Sequence, residues 1–160
     1  MIPTGPNTST ICERTRRALV SYLLVVIQFG ALLGFALLLD TVRWSLATVV
    51  LVGLGACLGV WALAANRPGN FNIRPEPKAG ATLITVGPYR YIRHPMYAAL
   101  LVGCAGIGVG AGGWRSAMLY GLLAVVLLTK AALEERRLLE SDAAYAQYRR
   151  STKRFIPFVW

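Results

Sequence analysis

Acidic side chains are scarce in this chain, seven against seventeen lysines and arginines, and histidine occurs once, as His94. The resulting formal charge of +10 would suggest nucleic acid as a partner, but the basic residues lie between and after apolar runs, which argues against that reading. The three cysteines, Cys12, Cys57 and Cys104, lack metal-ligand spacing, and two of them fall inside apolar runs where a thiol behaves as a small hydrophobe. Neither a disulfide framework nor a metal site is expected. The start, Met1 to Thr10, lacks the charged opening and small-residue cleavage site of a secretory signal, so the first apolar run is expected to be retained. Residues 1 to about 12 are expected to be unstructured, and no internal repeat is present.

Charge is missing altogether from two long stretches, Ala18 to Leu39 and Trp44 to Ala65. A hydrocarbon core about 30 Å thick needs roughly 20 apolar residues in helix, and both runs meet that length. Met96 to Gly113 is a third apolar run, with Gly103, Gly106, Gly108 and Gly110 allowing close helix packing. The fourth, from Trp114 to Leu133, contains a single charge, Lys130. With 56% hydrophobic residues and a mean hydropathy of +0.52, the expectation is one all-α, polytopic membrane domain. Its spans are placed at about 18–39, 44–65, 96–113 and 114–133, after a tail at 1–17 and before a helix and tail at 134–160.

Arg14, Arg16 and Arg17 precede the first span, Arg67 to Arg93 carry five basic residues of the central segment, and a third basic group follows the fourth span. The two short connections hold only Arg43 and Arg115. By the positive-inside rule both termini and the central loop face the cytoplasm, as in a bacterial-type inner membrane protein. The short connections predict antiparallel hairpins, first with second and third with fourth. Between them, Asn66 to His94 is long and rich in proline and glycine, yet Thr82 to Val86 argues against disorder. Glu134 to Arg150 is predicted helical, with a stripe of Leu133, Leu138, Leu139, Ala144, Tyr145 and Tyr148, and the aromatic tail to Trp160 suits the headgroup region.

The stretch Gly87-Pro88-Tyr89-Arg90-Tyr91-Ile92-Arg93-His94-Pro95-Met96-Tyr97 gathers the histidine, two arginines and three tyrosines where a loop enters a helix. Pro95 suits the first helical position and predicts an extended His94 just before it. The unpaired N–H groups of that helix start favour an anion such as a carboxylate. The plainer reading is that these tyrosines and arginines are interface anchors. The second cluster, Glu134-Glu135-Arg136-Arg137, lies where the fourth helix leaves the apolar core. Two acids at that depth are costly unless paired or needed. Local pairs of Glu134 with Lys130 and Arg137 are one explanation; a carboxylate that binds an ammonium group is the other.

The order of these two clusters, separated by a hydrophobic hairpin, resembles the integral membrane methyltransferases: the isoprenylcysteine carboxyl methyltransferases and the related phospholipid N-methyltransferases. The resemblance extends upstream through Asn70 to Pro77 and downstream to Tyr145, Tyr148 and Arg154 to Pro157. It implies a cytoplasmic cofactor pocket formed by the central loop and C-terminal segment, with a lateral opening to lipid. It further implies S-adenosylmethionine as cofactor, with Arg93, His94, Pro95 and Tyr97 in an arginine-histidine-proline motif and Glu134 and Glu135 in a paired-glutamate motif. Tyr91 joins these as a cofactor-binding candidate, and Arg93 and Glu135 are the catalytic candidates. Where such families often carry a glycine shortly after the motif tyrosine, Ala98 and Ala99 stand here.

A glutamate suits the ammonium of the cofactor, and His94, Arg93 or the helix start suits its carboxylate. Methyl transfer mainly requires that the reactants be positioned and desolvated. A carboxylate acceptor needs no general base, whereas a protonated amine must first lose its proton. The leading expectation is carboxylate O-methylation of a lipophilic, isoprenylcysteine-like acceptor. Phospholipid or amine N-methylation, an NADPH-dependent reductase resembling the membrane sterol reductases, and a non-catalytic membrane adaptor remain alternatives. Membrane lipids and a lipophilic substrate are the expected partners, without metal or nucleic acid.

Overall fold

The computed structural model describes residues 8–66, 83–141 and 143–157, and among them the secondary structure is helical apart from one isolated bridge. The quoted motifs at 70–77, Thr82 and the last three residues of the aromatic tail lie outside the described residues. Helix α1 spans Thr8–Leu37, α2 Leu46–Ala65, α3 Pro95–Ala111, α4 Gly113–Ser141 and α5 Ala143–Ser151. Helix therefore begins within the stretch expected to be unstructured. Segments in α1, α2 and α4 are long and apolar enough to cross a membrane, and α3 is a shorter apolar helix. At 1.5 Å per residue α3 extends about 26 Å, short of a hydrocarbon core of about 30 Å. The chain is an all-α, polytopic membrane protein.

Composition explains which surfaces face outward. Leu19, Leu23, Val26, Leu33 and Leu46 are among the many large apolar side chains that are exposed, as expected where the surrounding solvent is lipid rather than water. Inside, Ala31 and Phe35 of α1 meet Cys104 of α3 and Leu123 and Leu127 of α4. A second cluster at one end of the bundle joins Ile92, Ala98 and Ala131 to Phe155 of the C-terminal segment.

The hairpin expected from the short connection between α1 and α2 is not the main packing arrangement. Helix α1 packs chiefly on α4, while α2 packs chiefly on α3. The connection is a 3-10 turn, Leu39–Thr41, followed by an extended Val42, and it crosses the end of α3, where the Arg43 amide donates to the Gly110 carbonyl at 2.9 Å. A Cβ on Gly110 would stand 2.7 Å from Val42 Cγ1 and 3.0 Å from the Arg43 carbonyl oxygen, so a side chain there would obstruct the crossing. Ser45 then starts α2, its hydroxyl accepting from the Thr48 amide at 3.3 Å.

Small residues draw α2 and α3 together. A Cβ added to Gly55 would lie 2.6 Å from the Gly103 amide nitrogen and 2.8 Å from the Ala99 carbonyl oxygen, so the two backbones touch there. The close packing expected from the glycine-rich third run is present. A single residue, Gly112 at φ +63°, joins α3 to α4.

Across the bundle α1 and α4 are in antiparallel register. Ser21 accepts from the Arg137 guanidinium at 3.4 Å, Gln28 accepts from the Lys130 ammonium, and Phe35 shares a core cluster with Leu123. Steps of seven along each helix keep these residues on one facing stripe. In the predicted stripe beyond the fourth span, Tyr145 and Tyr148 are buried, but Leu139 and Ala144 are exposed. The turn into α5 rotates its inward face away from the one that α4 presents.

Candidate active site

At the end of the bundle that carries the second core cluster, a 3-10 turn at Gly87–Arg90 begins with proline at its first turn. Its Pro88 carbonyl accepts from the amides of Tyr91 and Ile92, both at 3.1 Å. The chain then runs beside the C-terminal segment. Lys153 donates its amide to the Tyr91 carbonyl at 3.2 Å, Arg93 donates to Lys153 at 2.8 Å, and His94 donates to Arg154 at 3.2 Å. These parallel contacts fasten the motif to a segment about sixty residues further on. Tyr148 adds another tie, its hydroxyl donating to the Tyr89 carbonyl at 2.6 Å.

His94 caps α3 at φ −122°, ψ 59°, short of the extended conformation expected before proline. Pro95 follows at the first helical position, where a missing N–H costs no intrahelical bond. The histidine ring stacks on Tyr97 with centroids 5.4 Å apart and tilts against Phe155 at 5.7 Å. Packing from both sides holds the ring orientation.

Glu135 is 2% exposed and forms the centre of an ion cluster. Arg93 Nε donates to its Oε1 at 2.9 Å; Arg154 donates from Nε to Oε1 at 3.1 Å and from a terminal nitrogen to Oε2 at 2.8 Å. His94 Nε2 lies 3.2 Å from Oε1, and since a carboxylate accepts only, that nitrogen carries the proton. Arg93 Nη1 reaches the backbone carbonyls of Arg149, at 3.3 Å, and Thr152. The hydrogen bond to Glu135 also raises the Arg154 pKa above its ordinary value. A carboxylate this deep requires such company, because desolvating an unpaired charge costs several kcal/mol.

Glu134 has a different environment. It is half-buried, and Tyr97 donates to its Oε2 at 3.3 Å, while His94 Nδ1 stands 3.7 Å from the same oxygen. Its Oε1 has no hydrogen-bond partner among the described residues. Tyr89 lies close enough for Glu134 to act on it: burial, and then that negative charge, push the phenol up to about 12. The Tyr89 hydroxyl therefore remains a donor at neutral pH. The arrangement offers one carboxylate oxygen to a cation, flanked by an imidazole and two phenols.

The structure thus brings Arg93, His94, Tyr97, Glu134 and Glu135 together, with Pro95 buried at the helix start beneath them. Tyr91 is 45% exposed, and among the described contacts its side chain takes no part in the cluster. Sequence reasoning missed Arg154 as a partner of Glu135, and Gln28 and Ser21 as partners of α4. Gln28 and Ser21 left one visible signal, two polar residues seven apart in an apolar run, matched by Lys130 and Arg137 at the same spacing.

Below Glu134, Lys130 is 1% exposed, with its ammonium 5.5 Å from the Tyr97 ring centroid and bonded to Gln28. Polar groups therefore continue from the ion cluster through Tyr97 into the apolar part of the bundle.

A comparison with curated proteins finds no match. A family model described as phospholipid methyltransferase matches residues 44–146, which takes in α2, α3, α4 and the start of α5 and leaves α1 outside.

Proposed function

From the premise that this chain belongs to the phospholipid methyltransferase family, we propose that it moves a methyl group from S-adenosylmethionine to a lipophilic acceptor at the cytoplasmic face of the membrane. The observation that carries this reading is Glu134, whose carboxylate keeps one oxygen without a partner among the described residues beside His94 and Tyr97. The cofactor supplies, when bound, a methyl group on a sulfonium and an ammonium-carboxylate pair. This donor set fits it: Glu134 for a cation, and the start of α3 for an anion.

Arg93 and Glu135, the catalytic candidates of the sequence, act in this proposal as positioning residues, because their polar atoms are engaged with each other, with Arg154 and with backbone carbonyls. They hold His94 against the C-terminal segment. Tyr97 orients Glu134, and the apolar walls of α3 and α4 exclude water from the reacting groups, where desolvation strengthens each electrostatic contact. Tyr91 keeps its place as a cofactor-binding candidate at the surface.

For the acceptor, the leading proposal is a lipophilic carboxylate. A carboxylate nucleophile needs no general base. An amine acceptor is the second reading, favoured by Glu134, whose open oxygen suits a cation or a departing proton. The family match favours both over the reductase and adaptor alternatives.

Calorimetry with S-adenosylhomocysteine, run in parallel with NADPH on the detergent-solubilised protein, tests the cofactor. Binding of NADPH alone, or of neither by a folded sample, would reject the proposal. Incubation with methyl-labelled cofactor and membrane lipids, followed by treatment with base, tests the acceptor: label released as methanol marks an ester, and label retained marks an N-methyl product.

A further inference from the structure

The inward turn of Tyr145 and Tyr148 settles what the opposite face of α5 presents. Ala146 and Arg150 are exposed there, and with the half-exposed Arg149 and with Leu139 of α4 they line a groove at the elbow between the two helices. Leu139 is 38% exposed and stands at the charged end of the apolar span of α4. Seven and fourteen residues back, Ala132 and Val125 are exposed on the same stripe of that helix. The groove thus opens at one end onto a lipid-facing track about 21 Å long.

Its rim is cationic. Arg150 forms no ion pair or side-chain hydrogen bond among the described contacts. Arg149, with its side chain 46% exposed, lies 3.8 Å from Glu135 Oε2, a carboxylate already engaged at 2.8 to 3.1 Å by Arg93 and Arg154. Two guanidiniums from adjacent positions at the mouth of an apolar track match one chemistry: a phosphodiester with no compensating cation, joined to an acyl chain. A zwitterionic headgroup would bring its own ammonium against both arginines.

We propose that this groove is a docking site for an anionic phospholipid of the surrounding bilayer, with the phosphate between Arg149 and Arg150 and a chain along Leu139, Ala132 and Val125. Arg149 borders the Glu135 cluster, but the groove does not depend on the methyl-transfer reading.

Native mass spectrometry of the full chain, released from detergent after incubation with equal amounts of phosphatidylglycerol and phosphatidylcholine, tests it. The wild type should retain the anionic lipid in preference. Arg150→Ala should weaken that retention about fivefold, and the Arg149→Ala/Arg150→Ala pair by more, while Arg115→Ala at the far end of α4 leaves it unchanged. Because Arg150 supports no other described contact, its single variant keeps the test valid even where the double variant folds poorly. Equal retention of the two lipids, an equal loss in Arg115→Ala, or full competition by water-soluble glycerol phosphate would overturn the proposal, the last by showing a phosphate site without a lipid track.

Discussion

Gln28 of α1 and Lys130 of α4, separated by 102 positions in the chain, meet inside the bundle, the amide oxygen accepting from an ammonium that is 1% exposed. The pair lies one helical turn below Glu134, and it makes α1, which falls outside the family match, part of the structure beneath the site. Hydrogen bonds to buried charged groups contribute about 1.5–3 kcal/mol. Gln28→Leu should therefore lower the thermal unfolding midpoint in detergent by several degrees, and Gln28→Glu should retain it. An unchanged midpoint in Gln28→Leu would mean that this hydrogen bond does not help hold α1 to α4.

The two glutamates should separate in mutagenesis. Glu135→Gln leaves Arg93 and Arg154 facing a neutral amide in a buried site, a loss on the order of 3–5 kcal/mol, so the solubilised protein should lose stability together with cofactor affinity. Glu134→Gln, at a half-exposed position, should leave the unfolding midpoint nearly unchanged while weakening S-adenosylhomocysteine binding about tenfold in calorimetry. Normal binding by Glu134→Gln would remove it from the proposed site.

Helix contact at Gly55 is backbone to backbone, so a side chain has no flexible neighbour to displace. Gly55→Val should destabilise the protein by more than the usual 1–3 kcal/mol of overpacking. Gly53→Ala, with nothing within 4 Å of its added Cβ, should be neutral or stabilising by up to about 1 kcal/mol. Chemical unfolding in detergent micelles of the two variants side by side provides the check; equal behaviour would contradict the α2–α3 geometry.

Tyr89 supplies a pH test. Its pKa is raised by burial to about 12, so the folded state keeps the phenol protonated when the unfolded chain, ionising near 10, has released it. Folding therefore gains from Tyr89 fully below about pH 10 and loses that gain as pH rises towards 12. Tyr145 and Tyr148 are shifted in the same direction by burial, so alkaline titration of tyrosinate absorbance should show a group ionising late, and Tyr89→Phe should remove one member of it. Loss of a group that ionises near pH 10 instead would place Tyr89 in water.

Much of the architecture was legible because lipid imposes a simple demand: apolar residues in runs long enough to span, with charges outside them. That demand located α2 and the apolar stretches of α1 and α4, while α1 starts ten residues before the expected span and α4 runs eight residues past it, and the proline of Pro95 marked the start of α3. The partners of α1 were not legible, since a short connection shows that two helices are neighbours in sequence but not which faces they bury. Here the connection lies over Gly110, and α1 turns to α4.

At the candidate site, the residue pattern alone restricted the charge pairing: one histidine, a paired glutamate and neighbouring arginines at the end of an apolar helix admit few arrangements that avoid an uncompensated charge. How the two glutamates divide follows from the packing of α4 against the motif and the C-terminal segment. Helical geometry turns adjacent residues about 100° apart, so Glu135 points into the arginines of the motif and the C-terminal segment, while Glu134 keeps an oxygen open. Arg154, nineteen positions beyond Glu135, reaches it because the C-terminal segment pairs in parallel with the motif backbone, a contact between distant stretches that no local pattern encodes.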